Sequence, residues 1–404
     1  MCTVFLSYSH KNSDEVSAFA AQLRARGIRV WRDVDALPAG RLSENEIRQA
    51  IAIECCGLTV YLTPETMTAD FVMNVELPVA VNRQRTDPGF PIVPVFRSMS
   101  LDEARIASVA KLGVDLTTYN GHTIESGVAD TVQLQQHFRL AANKVLREYL
   151  SRAFNPNQPE HDRNPRVDLH TWPSRWDDPP PDLDIDWSRF FPTESLPSHD
   201  VWQSFLVPAV DDVKNALAET TGPRTLCVRA KARLSAGLAL GFAFRQPSGF
   251  NIEIEQDGQI WSTAALKSEA DALRVTEAGG DIRCPALAVE MSISADVAPA
   301  VDRYVQASGR GFRARLRFEP HGGPGRSSVP DWQHAIDMGA QAGTRIRQAR
   351  NDYKVEEIHL FASMPLGLAV LLGHQLNACG AIQCYEFENL SGSYHLSCLL
   401  GGQP

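Results

Sequence analysis

Four short apolar runs, each followed by a stretch with helical signals, dominate the first hundred residues. The runs are Thr3-Val4-Phe5-Leu6-Ser7, Ile28-Arg29-Val30-Trp31, Leu58-Thr59-Val60-Tyr61-Leu62 and Ile92-Val93-Pro94-Val95-Phe96. Asn12 to Glu15 opens one helix, with Val16, Phe19, Ala20 and Leu23 at helical spacing and Gly27 as its stop. Ser43-x-x-Glu46 forms a capping box with Leu42 and Ile47 as a hydrophobic staple; Ile47, Ala50 and Ile51 give that helix its core face. A polar turn over Thr63–Ala69 leads to a third helix that carries Glu76, and a last helix runs from about Asp130 to Tyr149. Strands that alternate with helices in this way specify a parallel sheet covered on both faces. Pro94 lacks a ladder donor, which puts its strand near an edge.

The whole chain has 404 residues, enough for two or three domains, and no apolar run long enough to span a bilayer. The start Met1-Cys2-Thr3-Val4-Phe5-Leu6 lacks a basic region and reads as a first strand, not a signal peptide. Eight cysteines are scattered without a CxxC pair, the usage of a cytoplasmic protein with reduced thiols; neither a disulfide framework nor a metal site is expected. A formal net charge of −9 argues against binding to DNA or RNA backbones. No GxGxxG fingerprint is present, so hydride transfer is not expected.

Phe5-Leu6-Ser7-Tyr8-Ser9, Gly27-Ile28-Arg29-Val30-Trp31, the Asp33–Leu42 loop and Val75-Glu76-Leu77, in that order, resemble a TIR domain covering residues 1–150. The resemblance implies a flavodoxin-like parallel sheet with a cleft at the strand ends. In enzymatic TIR domains the glutamate of a Trp-x-x-x-Glu-Leu helix serves NAD+ cleavage, and here that glutamate falls on Glu76. Two departures stand out. The aromatic position falls on Val72, with Phe71 beside it, and Pro78 follows Glu76 by two residues. A proline there removes a helical hydrogen bond and opposes the carbonyl of Asn74, so a kink or break is expected that either aims Glu76 or displaces it. The resemblance places Ser7, Tyr8 and Ser9 in the cleft, Tyr8 as a stacking surface, and makes Asp33 and Leu37 of the loop substrate-binding positions. That loop resembles the one with which a TIR domain packs on a neighbouring copy. NAD+ is then a substrate, and no cofactor is implied. Many TIR domains are adaptors, and that alternative stays open.

Residues 151–197 hold Asn155-Pro156-Asn157-Gln158-Pro159 and Asp177-Asp178-Pro179-Pro180-Pro181 with interspersed Trp and Phe. They read as an extended linker pinned on the second domain. Residues 198–404 then repeat themselves, in pseudo-repeats of about 198–325 and 326–404. Val201-Trp202-Gln203 matches Asp331-Trp332-Gln333. The strands Thr225–Val228 and Ile358–Phe361 match, as do the helices at Gly237-Leu238-Ala239 and Gly367-Leu368-Ala369 and the strands Phe250–Ile254 and Ala381–Tyr385. Gln256-Asp257-Gly258-Gln259 signals a hairpin to Ile260-Trp261. Two Rossmann-like units built this way would set two helix N-termini around one pocket, a setting that favours phosphate. Arg229, Lys231 and Arg233 charge the first turn, whereas Ser363-Met364-Pro365 leaves the second uncharged. Such asymmetry suits a small cyclic phosphodiester; the other reading is a solvated turn.

His359-Leu360-Phe361-Ala362-Ser363-Met364-Pro365 and Tyr385-Glu386-Phe387 resemble a SAVED domain, built of two fused CARF-like units, over residues 165–404. That family binds cyclic oligonucleotides made by bacterial antiphage (CBASS) synthases. The resemblance implies a ligand set of Lys231, Arg233, Ser363 and Met364. The Gly309–Arg313 and Gly322–Arg326 loops are candidates for a cover over the pocket. Joined, the halves imply an effector in which a cyclic oligoadenylate, the trinucleotide, drives head-to-tail self-association and completes an NAD+-cleaving site, with no DNA or membrane partner.

Overall fold

The computed structural model describes residues 3–32, 43–128, 130–154, 163–174, 176, 178–192, 195–220, 224–268 and 271–402. The expected Asp33–Leu42 loop, including Asp33 and Leu37, lies outside the described residues, as does the side chain of Ser43. The chain divides into two compact units. One comprises 1–163, 178–185 and 215–222; the other comprises 164–177, 186–214 and 223–404. No helix among the described residues is long and apolar enough to cross a membrane.

In the first unit, Thr3–Ser7 (β1), Arg29–Trp31 (β2), Cys55–Leu62 (β3), Ile92–Arg97 (β4) and His122–Ile124 (β5) form one parallel sheet in the order β2-β1-β3-β4-β5. This is the flavodoxin-like order, whose reversal point lies between β1 and β3. The helix Ser13–Ala25 starts where expected, and Gly27 ends it at φ +83°. The Thr63–Ala69 turn is instead a short helix, Pro64–Thr68, because the Thr63 hydroxyl accepts from Thr66 N and Pro64 supplies a helical φ at its start. β4 lies one strand in from the edge. β5 pairs with it only from Val95 onward, beyond Pro94. The sequence reading contains neither β5 nor the helix Leu101–Leu112, which has a full capping box at Ser100 and Glu103. Helix Thr131–Ala153 begins on Asp130, as expected. Among the described cysteines, Cys55, Cys227, Cys284, Cys379, Cys384 and Cys398 are free thiols, whereas Cys56 is disulfide-bonded. That corrects the expectation of thiols throughout.

Among its described residues, the segment read as a linker contains strands. It supplies Arg166–His170 (β6) and Leu183–Asp186 (β7). β6 pairs in parallel with Thr225–Lys231 (β8), which pairs in parallel with Asn251–Gln256 (β9), followed by an antiparallel Gln259–Ser262 (β10). The β9–β10 turn has positive φ at both Asp257 and Gly258, as a tight primed hairpin requires. The other sheet contains Leu273–Gly279 (β11), Ala286–Ser292 (β12), Ala314–Pro320 (β13), Glu357–Ser363 (β14), Ala381–Glu388 (β15) and Ser393–Leu400 (β16), in the order β11-β13-β12-β14-β15-β16. The runs β6-β8-β9-β10 and β12-β14-β15-β16 have the same directions and order, so the duplication covers strands as well as helices.

The repeated helices Leu234–Ala243 and Leu366–Gln375 are apolar all round and pack on each other. They touch backbone to backbone. A Cβ on Gly241 would stand 2.1 Å from the Val370 carbonyl oxygen, and one on Gly373 would stand 2.4 Å from that of Leu238.

Candidate functional site

β1 ends at Ser7 beside the sheet's reversal point, where parallel sheets receive ligands. Tyr8 and Ser9 continue from it, both buried. Opposite them, Val72–Glu76 forms a π-helical turn in which Leu77 N donates to the Val72 carbonyl, and an ordinary helix, Leu77–Thr86, follows. Pro78 therefore does not break the helix: the wider turn absorbs its missing N–H, and Pro78 sits in the first turn of the segment after it, where proline is tolerated.

This arrangement aims Glu76 inward. Glu76 is only 7% exposed, and its Oε2 accepts from Ser7 Oγ at 2.5 Å. It faces a cavity of about 570 Å³ together with Phe5, Tyr8, Ser9, Phe71 and Val72. The aromatic ring absent from position 72 is present one residue earlier, since Val72 is buried under the cavity and Phe71 is 36% exposed at its rim. Tyr8 meets His10 edge to face at 5.7 Å, and exposed His10 and Lys11 complete that side. The arrangement can place one buried carboxylate against a polar group in an aromatic-walled cleft with His10 and Lys11 at its rim. Glu76, Ser7, Tyr8 and Ser9 are thus brought together. Phe71 and Lys11 are additions; Phe71 was visible only as the neighbour of a missing aromatic.

In the second unit the candidate ligand residues take different roles. Arg229 Nε and Nη2 donate to the buried carboxylate of Asp168 at 2.8 and 2.9 Å. Lys231 is exposed, and Arg233 precedes helix Leu234–Ala243 with its guanidinium 5.2 Å from the Trp172 ring centre. On the matching turn, Ser363 O accepts from Ile293 N and Ser294 N, and Met364 is buried.

The two helix N-termini expected to be open to phosphate are occupied. Glu386 Oε1 accepts from Ser235 N at 2.6 Å, and Gln256 Oε1 accepts from Gly367 N at 2.9 Å. Gln256 and Glu386 each stand sixth in their strands, β9 and β15, and each half caps the helix of the other. Burial pushes the Glu386 carboxyl up, against the downward pull of the Ser235 hydrogen bonds and of Arg233. The loops read as covers are anchored: Arg310 Nη1 lies 3.2 Å from His359 Nε2, Phe312 is buried, and Gly325 N donates to Ile293 O.

Residues 4–126 match the family model for the TIR domain, and residues 210–400 match that for the SMODS-associated and fused to various effectors sensor domain, SAVED. Two curated relatives, both named CD-NTase-associated protein 4, come from an Acinetobacter species and Moraxella osloensis. They are 25% identical over 226 and 215 residues, which is 53% and 52% of this chain. The match spans only 44% of the length of each relative. Among solved structures, the Acinetobacter baumannii Cap4 SAVED/CARF-domain containing receptor with the cyclic trinucleotide 3'3'3'-cAAA has a TM-score of 0.52 at 17% identity, covering 90% of this chain and 86% of that one. The same receptor with 2'3'3'-cAAA has a TM-score of 0.50 at 17% identity, with the same coverage. At that identity the likeness concerns the fold. With the parallel sheet in one unit and the paired repeats in the other, these matches establish that the chain carries an N-terminal TIR domain and a C-terminal SAVED domain.

Proposed function

We propose that this chain is an antiphage effector that cleaves the nicotinamide–ribose bond of NAD+ when its SAVED domain binds a cyclic oligoadenylate, the trinucleotide. The observation that carries the catalytic half is the burial of Glu76 at the wall of the cavity, fixed by Ser7. When the C1′–N bond breaks, its electron pair neutralises the departing pyridinium and the ribose becomes an oxocarbenium ion. A fixed carboxylate in a low-dielectric cleft stabilises that developing charge without reorganising. Water then adds to C1′ and releases a proton, giving ADP-ribose. The cyclic trinucleotides held by the solved Cap4 receptors support the choice of ligand class.

Activation requires assembly. An open cleft leaves substrate wet and loosely placed, and a neighbouring copy stacked head to tail excludes water and fixes it. A head-to-tail contact that does not close gives a filament.

The test is NAD+ consumption by the purified chain, with and without a panel of cyclic di- and trinucleotides, followed alongside light scattering. One ligand should switch on both signals. Glu76→Gln should keep ligand-driven growth in particle size and lose NAD+ cleavage by at least a hundredfold. A variant as fast as the parent removes Glu76 from the mechanism, and ligand-driven assembly with NAD+ untouched makes the TIR domain an adaptor.

A further inference from the structure

The carboxyl ends of β6 and β8 lie side by side, with His170 in register with Lys231. Past them, the chain crosses from one strand end to the other: Thr171 N donates to Lys231 O at 3.1 Å, and Thr171 Oγ1 accepts from Arg233 N at 3.0 Å. This crossing brings two indoles, Trp172 and Trp176, over the cationic turn. The Arg233 guanidinium is 5.2 Å from the Trp172 ring centre and the Arg229 guanidinium 5.5 Å from that of Trp176. Trp176 also stacks on the buried His170 ring at 5.4 Å and 20°. Arg229 is itself fixed by Asp168, so the rings are held by a rigid base.

Three features point beyond packing. Both indoles are only half-buried, although each is large enough to fill a core. Among the described residues, Arg233 Nε is a buried donor with no acceptor. Lys231 stands exposed beside them, so three cations and two aromatic faces meet where parallel strands end. Alternating aromatic and guanidinium surfaces take up a nucleobase by stacking and its phosphate by charge. Trp172 and Trp176 also precede residue 210, where the SAVED match begins.

We propose that Trp172 and Trp176 form the base-stacking wall of the cyclic-nucleotide site. A purine lies on an indole, and phosphodiester oxygens accept from Arg233 and Lys231. Arg229 is a positioning residue that seats Trp176. The inference rests on the reading of the second domain as a cyclic-nucleotide sensor.

The experiment is calorimetric titration of the full chain with 3'3'3'-cyclic triadenylate, with thermal unfolding recorded for each variant. Trp172→Ala and Trp176→Ala should weaken binding about tenfold or more, whereas the phenylalanine variants, which keep a stacking face, should stay within a few-fold of the parent. Tryptophan emission of the parent should be quenched by the ligand, and the double Trp172→Phe, Trp176→Phe chain should lose that quenching. The second readout decides the matter if an alanine variant fails to fold. A parent that binds while the folded alanine variants bind equally well, or a double variant quenched as strongly as the parent, overturns the wall and leaves the sensor reading intact. A parent that binds no cyclic nucleotide overturns the sensor reading and the wall together.

Discussion

The side chains that matter most at these sites are held by partners far away in sequence. Glu76 was legible because its helix and the β1 turn follow a recognisable order, yet its bond to Ser7 spans 69 positions. Asp168, which fixes Arg229, is 61 positions from it, and Glu386 is 151 from Ser235; no local pattern marks such pairs. His359 belongs to the same class. Its ring sits between Tyr385, Glu357 and Arg310, and burial, reinforced by Arg310, pulls its pKa down from 6.5 to about 4. The unfolded chain takes up a proton near pH 6.5 that the fold refuses until about pH 4. Stability from this group is therefore present above that window and lost as pH falls through it. Melting temperatures measured from pH 7 to pH 4 should fall less steeply for His359→Gln than for the parent; equal slopes would remove His359 from the acid response.

Among the elements, those read correctly had strong local grammar: apolar runs, caps and glycine stops. Those missed did not. β6 and β7 lie in a stretch of Pro, Asp and Trp that reads as extended chain, and β5 has only three residues. The Pro78 anomaly was visible, but its resolution by a π-turn depends on the carbonyl register of the preceding residues. The close pair of apolar helices gives a sharper test. Gly241→Ala places a methyl against the Val370 carbonyl and should cost about 3 kcal/mol. In Gly339→Ala, on helix Trp332–Tyr353, the nearest atom to the new methyl is 3.5 Å away, and the change should be neutral or slightly stabilising. Denaturant midpoints with unchanged slopes would measure both; a Gly241→Ala midpoint equal to the parent's would contradict the close contact.

For the molecule as a whole, the sequence disclosed that the second domain is duplicated but not how its halves are joined. They are joined by exchange: Glu386 of the second half caps the first half's helix, and Gln256 of the first caps the second's. Glu386→Ala leaves Ser235 N buried without an acceptor, at about 1–3 kcal/mol. Hydrogen exchange should then quicken across residues 234–243, in the half that was not mutated. Quickening confined to β15 would show that the halves are energetically separate.

The exchanged caps also bear on ancestry. Two identical chains related by a twofold axis would trade the same cap residue in both directions, so any change there would strike both sites at once. Joining the two copies in one polypeptide lifts that restriction. One cap here is a neutral amide and its counterpart a carboxylate, and the turn before one helix carries Arg229, Lys231 and Arg233 where the turn before the other carries Ser363 and Met364. The helix pair is thus unlike at its two N-termini, a left and a right that one chain can vary separately.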